Sequence, residues 1–374
     1  LKTGIKASVL ALPDFGIFCP AAKIGFFRSM TTKNTRSIWT SLILFVLLSQ
    51  LACTSDPSGP DVSGIDIPFS VQRFDQDLFK LDTTQMEAGL DELLAKYPDF
   101  LPFFISEIAH DMTQPDQSPL DAVKGFITAP PILRLKDSVE LAFPNLDKQE
   151  PGLKQLLKHY RYYFPEQPTP RIVTAVTEFI GDAYLVNDSL LMIGLDMFLG
   201  EDFGGYNPEF FPQFIRRQFV PENMTTKAAM AICSQRTGPP PGERILDYMI
   251  NNGKTLYMMS KLMPSAPDSV IMGYTADQIA ESLANEQNVW ARMLDMGVLY
   301  EPLGPKNQKI VMPAPNATSV FTEAPGEIGN WIGWQIVKSY MKRNPDTSMD
   351  ELIQLRDTQA FMEASKYKPP RIAG

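Results

Sequence analysis

Apolar residues recur every three to four positions along most of the chain, and proline interrupts the pattern often. That spacing predicts amphipathic helices. Leu90, Leu93 and Leu94 define one, opened by a capping box at Thr84–Glu87 (TQME) and stopped by Pro98. Ile105–Met112 keeps helical spacing, Ser118-Pro119 starts a short helix, and Pro130-Pro131 breaks the chain. Ser138–Phe143 and Leu153–Phe164 read as further helices. The period then changes. Arg171–Thr177 is β-branched and short, a strand; Tyr184–Val186 and Ser189–Asp196 flank a polar Asn187-Asp188 turn, a hairpin. From Pro221 onward helices return: Glu222–Ser234, Glu243–Met263, Thr275–Met296, Pro325–Lys342 and a last one opened by Ser348–Glu351. Thr275–Gln278 and Ser348–Glu351 repeat the capping-box spacing. The predicted class is α+β, predominantly helical, with a small sheet of about three strands packed by helices. Between sheet and second helical run, Phe203, Tyr206, Phe210, Phe211 and Phe214 give a loop more aromatic rings than a solvated loop needs. They are expected to pack it down.

One run departs from both periods. Ser37–Ala52 is uncharged and apolar, with Lys33 and Arg36 before it and Cys53 after it. At about 16 residues it is shorter than the ~20 of a bilayer span. A basic start, a short apolar core and a small residue before cysteine are the features of a bacterial lipoprotein signal. Cys53 is then the lipidated residue, since its sulfur accepts the diacylglyceryl group. Met30 is the expected initiator, which makes residues 1–29 an upstream extension outside the protein proper. Residues 30–52 are the signal and 53–66, rich in Ser, Pro, Gly and Asp, a flexible tether. Residues 67–371 remain as a single globular domain.

Composition narrows the chemistry. The chain has 374 residues, a net charge of −9, two histidines and three cysteines. An acidic chain has no electrostatic footprint for nucleic acid. Residues 1–52 hold six basic residues and one acidic, so without them the net charge is −14. Such a body is held to an anionic membrane by its lipid anchor and not by its surface. Cys233, in an apolar stretch, is expected as a buried thiol.

Catalytic signatures are missing. The sequence has no His-Glu-x-x-His, no Gly-x-Ser-x-Gly and no Walker loop. Glu107 and His110 share a helix face, but His159 has Leu156 where a second Glu-x-x-His pair needs its carboxylate. Asp196, Glu201 and Asp202 match no calcium-loop spacing. No metal and no cofactor is expected. Gly326, Gly329 and Gly333 accompany Trp331 and Trp334 on one predicted helix. Each helical glycine costs about 1 kcal/mol relative to alanine, so the three ask for a close backbone approach. Lys254, Tyr257, Glu286 and Trp290 on adjoining helices are the residues that could line a groove with the two tryptophans.

Several long phrases then agree with one family. LLMIGLDMFLGEDF, FFPQFIRRQFVPENM, ILDYMINNGKTLYMMSKLMPSAPDSVIMGYT, NEQNVWARMLDMGVLY, APGEIGNWIGWQIVKSYMKRNP and the terminal SKYKPPR resemble the gliding-motility lipoprotein GldB family, as does the opening VQRFDQDLFKLDT. The resemblance spans about residues 67–371. It implies a lipoprotein on the periplasmic side or cell surface, membrane-bound through its N-terminal anchor. Its partners would be proteins of the motility and secretion apparatus. The family also resembles zinc peptidases remotely, which implies a degenerate zincin-like fold. Here the helix in the motif's place, Thr225–Ser234, has neither His nor Glu, and the next, Ile245–Met263, carries Asp247 and Lys254. The expected role is therefore binding without catalysis. Two alternatives stand beside it. One is a divergent metal-dependent hydrolase using Glu281, Glu286 and Asp247 with His110 or His159. The other is a solute- or glycan-binding lipoprotein using Trp290, Trp331 and Trp334 as exposed platforms.

Overall fold

A computed structural model describes residues 59–110, 113–114, 116 and 117–370. The signal, Cys53 and the start of the tether lie outside the described residues.

Four strands form the sheet. β1 (Val71–Arg73) pairs in parallel with β2 (Arg171–Ala175), β2 in parallel with β4 (Leu190–Gly194), and β3 (Ala183–Val186) antiparallel with β4. The order is β1-β2-β4-β3. The expected hairpin is β3–β4. The fourth strand, β1, escapes the sequence pattern because three residues, two of them polar, carry no period. Its partner also lies a hundred residues away.

Helices cover both faces of the sheet, which is why β4 reads as an unbroken apolar run. α1 (Phe74–Leu78), α2 (Met86–Lys96), α3 (Leu101–Phe104) with the π-turn Ile105–Ala109, and α4 (Pro119–Thr128) enclose Phe74, Phe100, Phe104 and Phe126 against Val173, Leu190 and Met192. The opposite face, with Ile172, Leu191 and Ile193, meets the larger core. That core draws on α5 (Pro130–Ala142), α6 (Glu150–Tyr163), α8 (Met224–Thr237), α9 (Ile245–Leu262), α11 (Ala276–Asp295) and α12 (Ile328–Arg343). Short helices complete it: α7 (Gln213–Arg216), α10 (Asp268–Met272), α13 (Met349–Gln354) and α14 (Thr358–Ser365).

Several local expectations change. Pro130 and Pro131 open α5 instead of breaking the chain, since proline is tolerated in a first turn. The Thr84 capping box does not form: the Thr84 N–H and hydroxyl both donate to Asp82 Oδ1, at 2.8 and 2.7 Å, and the helix starts two residues later. Thr275 and Ser348 do form capping boxes. The last helix is two, with Asp357 capping the second through the Ala360 N–H. From residue 59 the expected tether lies against the body: Val62 is buried, and Lys158 Nζ donates to the Ser63 carbonyl at 3.1 Å. Val62 and Ile65, spaced as on one side of a strap, give this polar stretch enough apolar surface to dock. The aromatic loop packs around the buried Tyr206, whereas Phe210 is 75% exposed.

Candidate functional site

The six residues expected to line one groove divide into two settings. Trp331 and Trp334 are 0% exposed and meet edge to face at 5.8 Å. Lys338 Nζ lies 3.6 Å from the Trp334 ring centroid and 3.2 Å from Asp268 Oδ2. Glu286, also buried, accepts the Tyr367 hydroxyl at 2.8 Å, and Tyr367 packs edge-on against the half-buried Trp290. Burial holds the Glu286 carboxyl above its usual range. Lys254 sits elsewhere, its ammonium donating to the Leu355 carbonyl and facing the Phe361 ring at 5.0 Å. Desolvation lowers it to about 8. Tyr257 is half-buried under Lys261. These side chains fill the core and tie α13, α14 and the C-terminal segment to it. The two tryptophans cannot serve as exposed platforms, because rings spaced three apart on α12 both turn inward.

Asp247 and His159 of the hydrolase alternative have other partners, and Glu281 stands apart from them at the surface. Asp247 forms a capping box with Arg244 and accepts the Thr358 hydroxyl. Glu281 is exposed, and His159 is buried with Nδ1 3.0 Å from the Gln155 carbonyl. Glu107 and His110 part because the π-turn ends in an extended His110. Among the described residues, no three His, Cys, Asp or Glu side chains stand together as a metal-binding set.

A groove does exist, beside α8. Two cavities, about 200 and 330 Å3, share Met230 of α8, Met272 of α10, Pro313 and Glu327. α9 supplies Asn252 and Met259. Glu327 was not singled out by the sequence. It precedes α12 with φ +64°, in the left-handed region, which costs a non-glycine residue about 1–2 kcal/mol. Its carboxylate makes no capping bond to the helix; it accepts Asn330 Nδ2 at 3.1 Å. Asn330 also donates to the Val311 carbonyl at 3.2 Å and accepts Asn252 Nδ2 at 2.9 Å. The Tyr274 hydroxyl fixes the preceding Gly326 carbonyl at 2.6 Å. Desolvation pushes the Glu327 carboxyl up to about 7, against the pull of Lys227 and Arg217. The signal for it in the sequence is a lone carboxylate between Gly326 and an apolar helix, in APGEIGNW.

The arrangement offers one fixed carboxyl group, a braced pair of amides and an apolar bed, with Arg217 and Lys227 on the wall of the smaller cavity. It can bind and orient a ligand. Comparison with protein families matches residues 55–369 to the family described as gliding motility protein GldB. No curated protein and no solved structure matches the chain.

Proposed function

The chain belongs to the GldB family of gliding motility proteins, and on that premise we propose that it is an envelope-anchored lipoprotein acting by binding instead of catalysis. The contact site is the groove between α8, α9, α10 and the start of α12. One observation carries this reading: among the described residues, the groove walls hold a single carboxylate, Glu327, and no histidine or cysteine. Hydrolytic sites ordinarily need more than one lone carboxylate, either an acid–base pair or a ligated metal. The lipid on Cys53 keeps the acidic body at the membrane, where partners of the motility and secretion apparatus reach it.

Deleting the gene in a gliding host is expected to abolish surface movement, and the wild-type gene to restore it. Normal gliding after deletion would remove the motility role. Cys53→Ala is expected to leave the membrane fraction and fail to restore movement; unaltered fractionation would remove the anchor. Stoichiometric zinc in protein purified from its host would overturn the non-catalytic reading.

A further inference from the structure

We infer that the groove seats a basic side chain of a partner peptide, its ammonium or guanidinium on Glu327 and its apolar neighbours on the surrounding methionines. The inference rests on the binding reading above and adds the class of ligand.

Glu327 is a carboxylate without a counter-ion. It takes part in no ion pair among the described residues, and its hydrogen bond comes from a neutral amide. The two cations beside it, Lys227 and Arg217, line the smaller cavity and have partners of their own; among the described residues the larger cavity has Glu327 as its one charged wall residue, and it is there that the basic side chain sits. Lys227 Nζ pairs with Asp182 at 3.0 Å, and Arg217 Nη2 donates to the Gly273 carbonyl at 2.8 Å and to Gln278 Oε1 at 3.2 Å. A partly desolvated carboxylate without a cation is a costly feature. Glu327 is also held in a left-handed backbone conformation at the N-cap of α12, where its carbonyl accepts the Asn330 N–H at 2.8 Å while its side chain makes no capping bond and faces the cavities. Strain of this kind persists where the surroundings over-determine it, and it clusters at binding sites. The Asn252–Asn330 pair supplies that support.

The remaining walls select the rest of the ligand. Met230 and Met312 are 38% and 43% exposed at the rim, Met272 lies inside and Met259 beneath. Methionine thioethers are polarisable and adapt to apolar side chains of varied shape, which suits a peptide better than a small rigid solute. A divalent cation would call for several oxygen ligands, more than one carboxylate among them, and the groove walls have one. The chain's net charge of −9 attracts a basic segment from a distance.

The test uses full-length lipidated protein in detergent, with 13C-methyl methionine as the NMR probe. Two peptides are titrated: acetyl-Leu-Lys-Leu-amide and its analogue with norleucine in place of lysine. The lysine peptide is expected to shift the Met230 and Met312 methyls and to bind at least tenfold more tightly. Glu327→Gln keeps the Asn330 bond and is expected to erase that preference. Glu327→Gly, which also relieves the left-handed strain, is expected to erase it with the melting temperature retained. If both peptides bind wild type equally, or if either variant keeps the preference, the cation seat is wrong while groove binding stands. If neither peptide moves the groove methyls, groove binding falls as well.

Discussion

Gly333→Ala is expected to destabilise the fold by about 3 kcal/mol or more, although alanine is the better helix former by about 1 kcal/mol. α9 and α12 cross with glycine facing glycine. A Cβ on Gly333 would overlap the Met249 carbonyl, its carbon 2.6 Å away; one on Gly253 would stand 2.7 Å from the Trp334 nitrogen. Both obstacles are backbone, so no rotamer change relieves them. To admit a methyl group the helices must separate, and Trp331 and Trp334, both fully buried, move with α12. Overpacking that shifts backbone lies at the severe end of single substitutions. Gly125→Ala is the control. It is exposed on α4 with nothing nearer than Gln117 Nε2 at 4.0 Å, and should gain up to about 1 kcal/mol. Denaturant midpoints followed by tryptophan fluorescence measure both. A Gly333→Ala protein as stable as wild type would refute the close-contact account.

The same contact marks how far the sequence could be read. Three glycines beside two tryptophans foretold a close approach on α12, because their propensity cost needs compensation. The opposing Gly253 was invisible, since its partner lies eighty residues on and a lone glycine in a polar NNGK stretch has no signature. Helices whose first turn closes on itself were legible at two of the three capping boxes that formed, Thr275 and Ser348; the third, Arg244 with Asp247, lacks the usual Ser or Thr at its start. Thr84 failed because Asp82 competed for the same hydroxyl. The groove residues were chosen for residue type, and type does not encode facing. Trp331 and Trp334 turn into the core, whereas Glu327 reaches the cavity through a left-handed backbone that no periodicity reveals.

Asp196→Ala is the second large effect, and its size should depend on pH. The side chain is fully buried, yet it is not part of any calcium loop. Its oxygens accept the Thr177 N–H at 2.8 Å, the Phe179 N–H at 2.7 Å and the Thr177 hydroxyl at 3.2 Å. Between those donors Glu178 and Phe179 adopt φ of 54° and 65°, a left-handed turn that the carboxylate holds in place. Phe179 in turn packs against Tyr206, whose hydroxyl donates to the Asp196 carbonyl at 2.8 Å. Removing the carboxyl leaves buried donors unpaired, each costing about 1–3 kcal/mol, and releases the aromatic loop. Burial raises the carboxyl from its ordinary value to about 6. A raised folded-state pKa gives a contribution fully present below the unfolded value near ~4, which declines as pH rises through about 6. The loss in Asp196→Ala should therefore exceed about 3 kcal/mol at pH 4.5 and be smaller at pH 7.5. Urea denaturation of both proteins at the two pH values decides it. A loss that stays level or grows with pH would mean that the carboxylate is held ionised by its three donors, and that their attraction outweighs the cost of its burial.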